Sequence, residues 1–241
     1  MSFDKIYSTK LNEIKPFEFN ETVVNVFDDM IRRSVPLYRE TIRRQSQLTE
    51  KFYQPGTEIF DFGCSNGNFG LRLLELMGKK PFSMIAVDSS EQMIKTYEER
   101  LCNRPNGESI KLICDKIQNV TVQNASVVIV NLTLQFIPVS ERDALIQKIY
   151  EGLLPSGILL ITEKTVHENE DLTELQQEFY YRYKKENGYS NLEISQKRDA
   201  LENVLIPETT ENHISRFKSA GFDKTDIWQK WFNFTSFICQ K

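Results

Sequence analysis

Residues Ile59 to Gly70 read Ile-Phe-Asp-Phe-Gly-Cys-Ser-Asn-Gly-Asn-Phe-Gly, an apolar run that breaks into a glycine-spaced turn. A second apolar run, Met84 to Val87, ends at Asp88. A strand feeding a glycine turn, followed by a strand ending on a carboxylate, describes a site for a nucleoside. Gly63 and Gly67 let backbone approach a ligand where a side chain would clash, and Gly63 can take positive φ cheaply. The carboxylate of Asp88 suits a ribose diol.

Outward from this stretch, strands and helices alternate, which predicts a doubly wound, mostly parallel α/β sheet with right-handed crossovers. The expected strands are Thr57 to Phe62, Phe82 to Val87, Ile110 to Cys114, Ser126 to Val130 and Ile158 to Ile161. Ser126 to Val130 is β-branched throughout after its serine, as suits the buried middle of a parallel sheet, and places Asn131 at the carboxyl edge. Expected helices carry Leu71, Leu74 and Met77 up to Gly78, then Met93, Tyr97 and Leu101 after a capping box at Ser89 to Gln92, then Leu145 to Leu154 capped by Ser140. Pro155-Ser156-Gly157 reads as a turn. A helix with Ile214 and Phe217 precedes two aromatic-rich strands, Asp226 to Phe234 and Phe234 to Cys239.

The whole chain, 1–241, reads as one domain with two additions. Residues 1–55 form a helical cap: Asn20 is a candidate N-cap, Val23, Phe27 and Met30 share a face, Arg32 to Pro36 break the pattern, and a second helix carries Tyr38, Ile42 and Leu48. Residues 164–207 form a helical insertion before the final strands, expected to act as a lid or an oligomer contact. In it, the aromatic stretch Phe179 to Tyr183 is expected to pack a helix face, and the charges from Glu168 to Glu174 to be a solvated surface.

The 241 residues are 40% hydrophobic and 27% charged with a net charge of −4, which fits a globular chain and argues against a broad nucleic-acid surface. No run approaches the ~20 apolar residues that span a bilayer, and Met1 to Lys15 lacks a signal-peptide core, so a cytoplasmic protein is expected. Cys64, Cys102, Cys114 and Cys239 lack metal-ligand spacing; thiols are expected, with no metal site.

Three chemistries compete for the turn. Gly63-Cys64-Ser65-Asn66-Gly67 fits the nucleophile elbow of serine hydrolases, but it follows the first strand, and only His167 and His213 could serve as base, His213 being expected as a solvated surface side chain. A dinucleotide site would want glycine where Ser65 stands. S-adenosylmethionine carries no phosphate, and Asp61 before Gly63 suits its ammonium group.

With these residues in hand, the chain resembles the carboxy-S-adenosyl-L-methionine synthases, a branch of the class I methyltransferase-like fold. The likeness runs nearly end to end: Asp29-Met-Ile-Arg-Arg-Ser-Val-Pro, Asp61-Phe-Gly-Cys-Ser, Asn131-Leu-Thr-Leu-Gln-Phe, Glu163-Lys, Glu186-Asn-Gly-Tyr-Ser and Leu192-Glu-Ile-Ser-Gln-Lys-Arg. The resemblance implies an enzyme that converts S-adenosylmethionine and prephenate to carboxy-S-adenosylmethionine and phenylpyruvate, for oxyacetylation of wobble uridine in transfer RNA by a separate enzyme. It places cofactor contacts on Tyr38, Gly63, Cys64, Ser65, Asp88, Ser89, Lys116, Ile117 and Asn131. It gives Arg198, supplied by the neighbouring subunit of a homodimer, to the new carboxylate; no direct contact with nucleic acid or membrane is implied. The chain departs from the family in having Asp115-Lys116-Ile117 where Asp directly precedes Ile, and Ser89 where Asn is usual. The rival reading is an ordinary S-adenosylmethionine-dependent methyltransferase acting on a small molecule or tRNA; a noncatalytic cofactor-binding protein comes third.

Overall fold

The computed structural model describes residues 3–102 and 104–241. Two helices come first. The Asn20 side chain accepts the Val23 amide at 3.2 Å and starts α1 (Glu21–Ser34), which buries Val23, Phe27 and Met30 as its periodicity requires. The helix continues through Arg32 to Ser34, and the break falls at Val35 to Leu37, where Leu37 adopts φ 57° and opens α2 (Tyr38–Phe52).

The sheet is then laid down as β1 (Glu58–Phe62), α3 (Asn68–Met77), β2 (Ser83–Asp88), α4 (Glu91–Leu101), β3 (Ile110–Cys114), β4 (Ala125–Asn131), α5 (Val139–Gly152) and β5 (Leu153–Val166). The insertion forms α6 (Glu170–Glu186) and α7 (Asn191–Leu201); β6 (Glu208–Thr209), α8 (Thr210–Ala220), β7 (Lys224–Trp231) and β8 (Phe234–Gln240) complete the described chain. Strand order is β3-β2-β1-β4-β5-β8-β7, with the short β6 beside β5. β1 to β5 pair in parallel, and β8 and β7 close the edge antiparallel. This is the doubly wound, mostly parallel sheet that the alternation predicts.

Two apolar layers sandwich the sheet. Phe60, Phe62, Val128 and Val130 pack with Leu145, Ile149 and Phe217, whereas Ile59, Val127 and Ile129 pack with Ile42, Leu71 and Leu74. Strand period two therefore sends Asp61 to the same side as Ile59, toward α2 and α3. A third cluster joins Phe27 and Met30 of α1 to Met93 of α4 and Ala200 of α7.

Three local expectations shift. Ser90, not Ser89, caps α4, accepting the Met93 amide at 3.3 Å, because Asp88 occupies the strand end and its Oδ1 holds the Ser90 amide. Pro138 rather than Ser140 precedes α5. Pro155 to Gly157 lie inside β5 as an irregularity, with Ser156 at φ 66°: Ala125 pairs with Leu153, and Val127 pairs with Ile158.

Candidate functional site

A cleft of 1140 Å³ opens over the carboxyl ends of β1, β2 and β4. It lies where the strand order reverses between β1 and its neighbours β2 and β4, the place where open α/β sheets bind ligands. Its walls include Tyr38, Gly63, Cys64, Ser65, Asp88, Ser89, Lys116, Ile117, Asn131 and Arg198, so every site residue expected from sequence faces one space.

The turn after β1 is held by its neighbours. Gly63 sits at φ +76°, and a Cβ there would come within 2.0 Å of Thr133 Oγ1. Gly67 is required for another reason than the one expected: it does not line the cleft, and a Cβ there would come within 2.1 Å of the Tyr97 ring. Ser65, at φ 49°, donates its amide to Asp88 Oδ2 at 2.9 Å, and Ser90 donates to Oδ1 at 2.9 Å. Asp88 thus ties the turn to the start of α4 while each oxygen keeps a lone pair for a further donor. Burial raises its pKa.

Beneath Asp88, Asp61 is 2% exposed, its Oδ2 has no hydrogen-bond partner, and burial with the nearby Asp88 charge raises its pKa to about 8. Asn131 Oδ1 is likewise buried without a partner. Two orphaned acceptors on adjacent strand ends are what a bound ammonium or amide donor would satisfy. Tyr38 lines the same end, accepting from Asn68 Nδ2 at 3.2 Å, and Asn68 also donates to Asp28 Oδ1 at 2.9 Å.

On the far side of Asp88, Lys116 and Ile117 line the cleft and Asp115 does not: Asp115 Oδ1 is engaged by the Lys116 amide and by Asn119 Nδ2, both at 2.7 Å. Lys116 thus stands at the cleft while the preceding carboxylate is held on its own loop. Cys64 faces the cleft, but burial and two nearby carboxylates push its thiol well up, so it is a neutral wall.

The insertion roofs the cleft. Tyr180 and Tyr181 of α6 and Lys197 and Arg198 of α7 face it. The aromatic stretch also packs as expected: Phe179 stacks on Phe232 at 4.8 Å, Tyr180 meets Phe234 edge-on at 5.3 Å, and Tyr183 meets Trp231 at 5.3 Å. Arg198 is exposed at the rim of its own chain's cleft and donates to Asp199 Oδ1 at 3.0 and 2.8 Å.

Sequence reading passed over Lys184 and gave no role to Glu163 or to the loop after Asn131. Thr133, Leu134 and Gln135 donate their amides to the buried Glu163 at 3.1, 2.8 and 3.0 Å, fixing the loop that abuts Gly63. Burial lifts Glu163 to about 7. The pair Glu163-Lys164 at the end of a buried strand was the available signal. His213 is corrected as well. It is buried against Phe237 at 5.5 Å, with its pKa lowered to about 4, because its helix lies on the sheet and not in solvent. Neither His213 nor His167 is among the residues facing Ser65 across the cleft, so the hydrolase geometry is not formed.

A nucleoside cleft on this sheet defines a class I methyltransferase-fold protein, and residues 59–157 match the methyltransferase domain family. An O-methyltransferase family protein from Burkholderia thailandensis shares the fold with TM-score 0.66 at 14% identity, over 92% of this chain and 60% of that one. The carboxy-S-adenosyl-L-methionine synthase of Desulforapulum autotrophicum is 51% identical over 241 residues, covering 100% of this chain and 98% of the relative. That of Shewanella woodyi is 40% identical over 240 residues, covering 100% and 99%. The chain belongs to the carboxy-S-adenosyl-L-methionine synthase family, enzymes that use S-adenosylmethionine.

Proposed function

We propose that this chain carboxylates S-adenosylmethionine with prephenate as donor, giving carboxy-S-adenosylmethionine and phenylpyruvate, and that it works as a homodimer in the cytoplasm with its product used for wobble-uridine modification in transfer RNA. The observation that carries this reading is the division of charge within one cleft. Asp61 and Asp88 line it from the ends of β1 and β2, and Lys164, Lys184 and Lys197 line it from β5 and the insertion, with Arg198 at the rim. Simple methyl transfer needs no cationic end. A donor that carries carboxylates is held by one.

The residues fit the cofactor. Asp88 would accept the ribose hydroxyls, Asp61 and Asn131 would satisfy the amino-acid end, Tyr38, Gly63, Cys64, Ser65 and Ser89 would wall the nucleoside, and Lys116 and Ile117 would border the base. When bound, S-adenosylmethionine supplies a sulfonium that acidifies its methyl hydrogens. Overall, the donor's ring–carboxyl C–C bond breaks and a methyl–carboxyl C–C bond forms, while the methyl proton and the donor's ring hydroxyl leave as water. The donor's own carboxylate is the proposed base, so the protein's part is to orient and to stabilise charge. Arg198, as a planar fork, would receive the new carboxylate.

Mass spectrometry of the purified protein incubated with S-adenosylmethionine and prephenate tests this. Carboxy-S-adenosylmethionine and phenylpyruvate in equal amounts are expected; S-adenosylhomocysteine as the sole cofactor-derived product would establish the methyltransferase reading instead.

A further inference from the structure

Three lysines from three elements converge on the cleft without an anion to match them. Lys164 lies on β5, Lys184 near the end of α6, and Lys197 on α7, and all three face the cavity. Lys184 and Lys197 are 4% and 6% exposed. Among the described residues none of the three forms an ion pair; the one hydrogen bond made by their ammonium groups is Lys197 Nζ to Ser34 Oγ at 3.5 Å. What they have instead is ring faces. Lys164 and Lys184 lie 5.1 and 5.3 Å from the centre of Tyr180, and Lys184 and Lys197 lie 5.6 and 5.9 Å from that of Tyr189. Asp4 is the closest carboxylate in effect, but its Oδ2 is held by the Tyr189 hydroxyl at 2.6 Å.

Gathering three like charges, two of them buried, opposes folding, and an anion seated among them would offset that cost. We infer that Lys164, Lys184 and Lys197 bind the carboxylate that the donor keeps, the keto-acid end that departs with the aromatic product. The inference rests on the proposed reading of the cleft and assigns each carboxylate of a two-carboxylate donor its own place. The carboxylate that is transferred must shed its charge as carbon dioxide. A triad of cations around that group would stabilise the ground state more than the transition state and slow the reaction. The retained carboxylate keeps its charge from substrate to product, so a strong cationic grip there anchors the donor uniformly.

The test is calorimetric titration of phenylpyruvate and of prephenate into the full chain saturated with S-adenosylhomocysteine, which blocks turnover. Both acids are expected to bind the wild-type protein, and Lys184→Met and Lys197→Met are each expected to weaken binding of both by at least about tenfold, with S-adenosylhomocysteine affinity unchanged. Methionine keeps the stem of lysine and removes a buried charge. Should either variant fail to fold, the wild-type protein suffices: Lys184, faced by Lys164, Lys197, Asp4 and Glu193, has its pKa lowered to about 7 by burial. Binding of phenylpyruvate at pH 8 therefore draws a proton from the buffer, seen as a heat that varies with buffer ionisation enthalpy. No binding by the wild-type protein, equal binding by the variants, or binding without proton uptake overturns the inference. Lysine-dependent binding without carboxylated product in the turnover assay would sink the proposed function and leave this site standing; normal prephenate KM in both variants would do the reverse.

Discussion

Asp88 carries two loads. Its oxygens fix the amides of Ser65 and Ser90, and by the proposed reading they also receive a ribose. Asp88→Ala is expected to lower S-adenosylmethionine affinity by roughly tenfold to a hundredfold, the scale of a lost charged hydrogen bond, and calorimetry would show it. Unchanged affinity would leave Asp88 only its structural role. Arg198 differs in kind, being exposed and paired with its neighbour Asp199, with Tyr181 beside it. Arg198→Lys retains the charge and loses the fork; carboxylated product is expected to fall by about tenfold or more while S-adenosylmethionine affinity holds. Equal product yield from the variant would remove the arginine from its assigned place.

At the scale of elements, the turn between β1 and α3 is the part most constrained by its neighbours. Gly63→Ala adds a Cβ at φ +76° against Thr133, so a stability loss of roughly 1–3 kcal/mol is expected in denaturant titration. A variant as stable as the parent would show that the Thr133 loop yields. Much of this was legible in the sequence because strand period and glycine spacing are local signals: β1, β2, β3 and β4, the turn and the carboxyl-edge places of Asp88 and Asn131 all follow from them. What failed was set by contacts distant in the chain. Gly67 answers to Tyr97, thirty residues on, His213 is buried by Phe237, and the extension of β5 back to Leu153 depends on pairing with Ala125. The lysine triad is of the same kind, since Lys164, Lys184 and Lys197 meet only through the folding of α6 and α7 over the sheet.

Over the whole molecule, the cleft and the strand end beside it store titratable groups of both signs whose pKa values burial brings toward neutral pH. Asp61 and Glu163 are raised to about 8 and about 7, and Lys184 and Lys197 are lowered to about 7 and about 8. The folded chain holds more protons than the unfolded one on the two acids from about pH 4 to 8, so their contribution falls as pH rises. Between about pH 7 and 10 the unfolded chain holds more protons on the two lysines, and their contribution rises. The ligand-free protein is therefore expected to show a dip in thermal midpoint near pH 7 to 8. Asp61→Asn flattens the falling limb and Lys184→Met the rising one, and a midpoint that climbs steadily from pH 5 to 9 would contradict this account.

The roof of the cleft is sewn on by the segment ahead of α1. The Phe17 amide donates to the Ala200 carbonyl at 2.8 Å, and the Leu11 amide to Gln196 Oε1 at 2.7 Å. During synthesis, Leu11 and Phe17 must wait for α7 to emerge from the ribosome before these two bonds can form. A nascent chain therefore carries its nucleoside-facing turn long before it can enclose a ligand, and closure of the chamber becomes one of the last events of maturation.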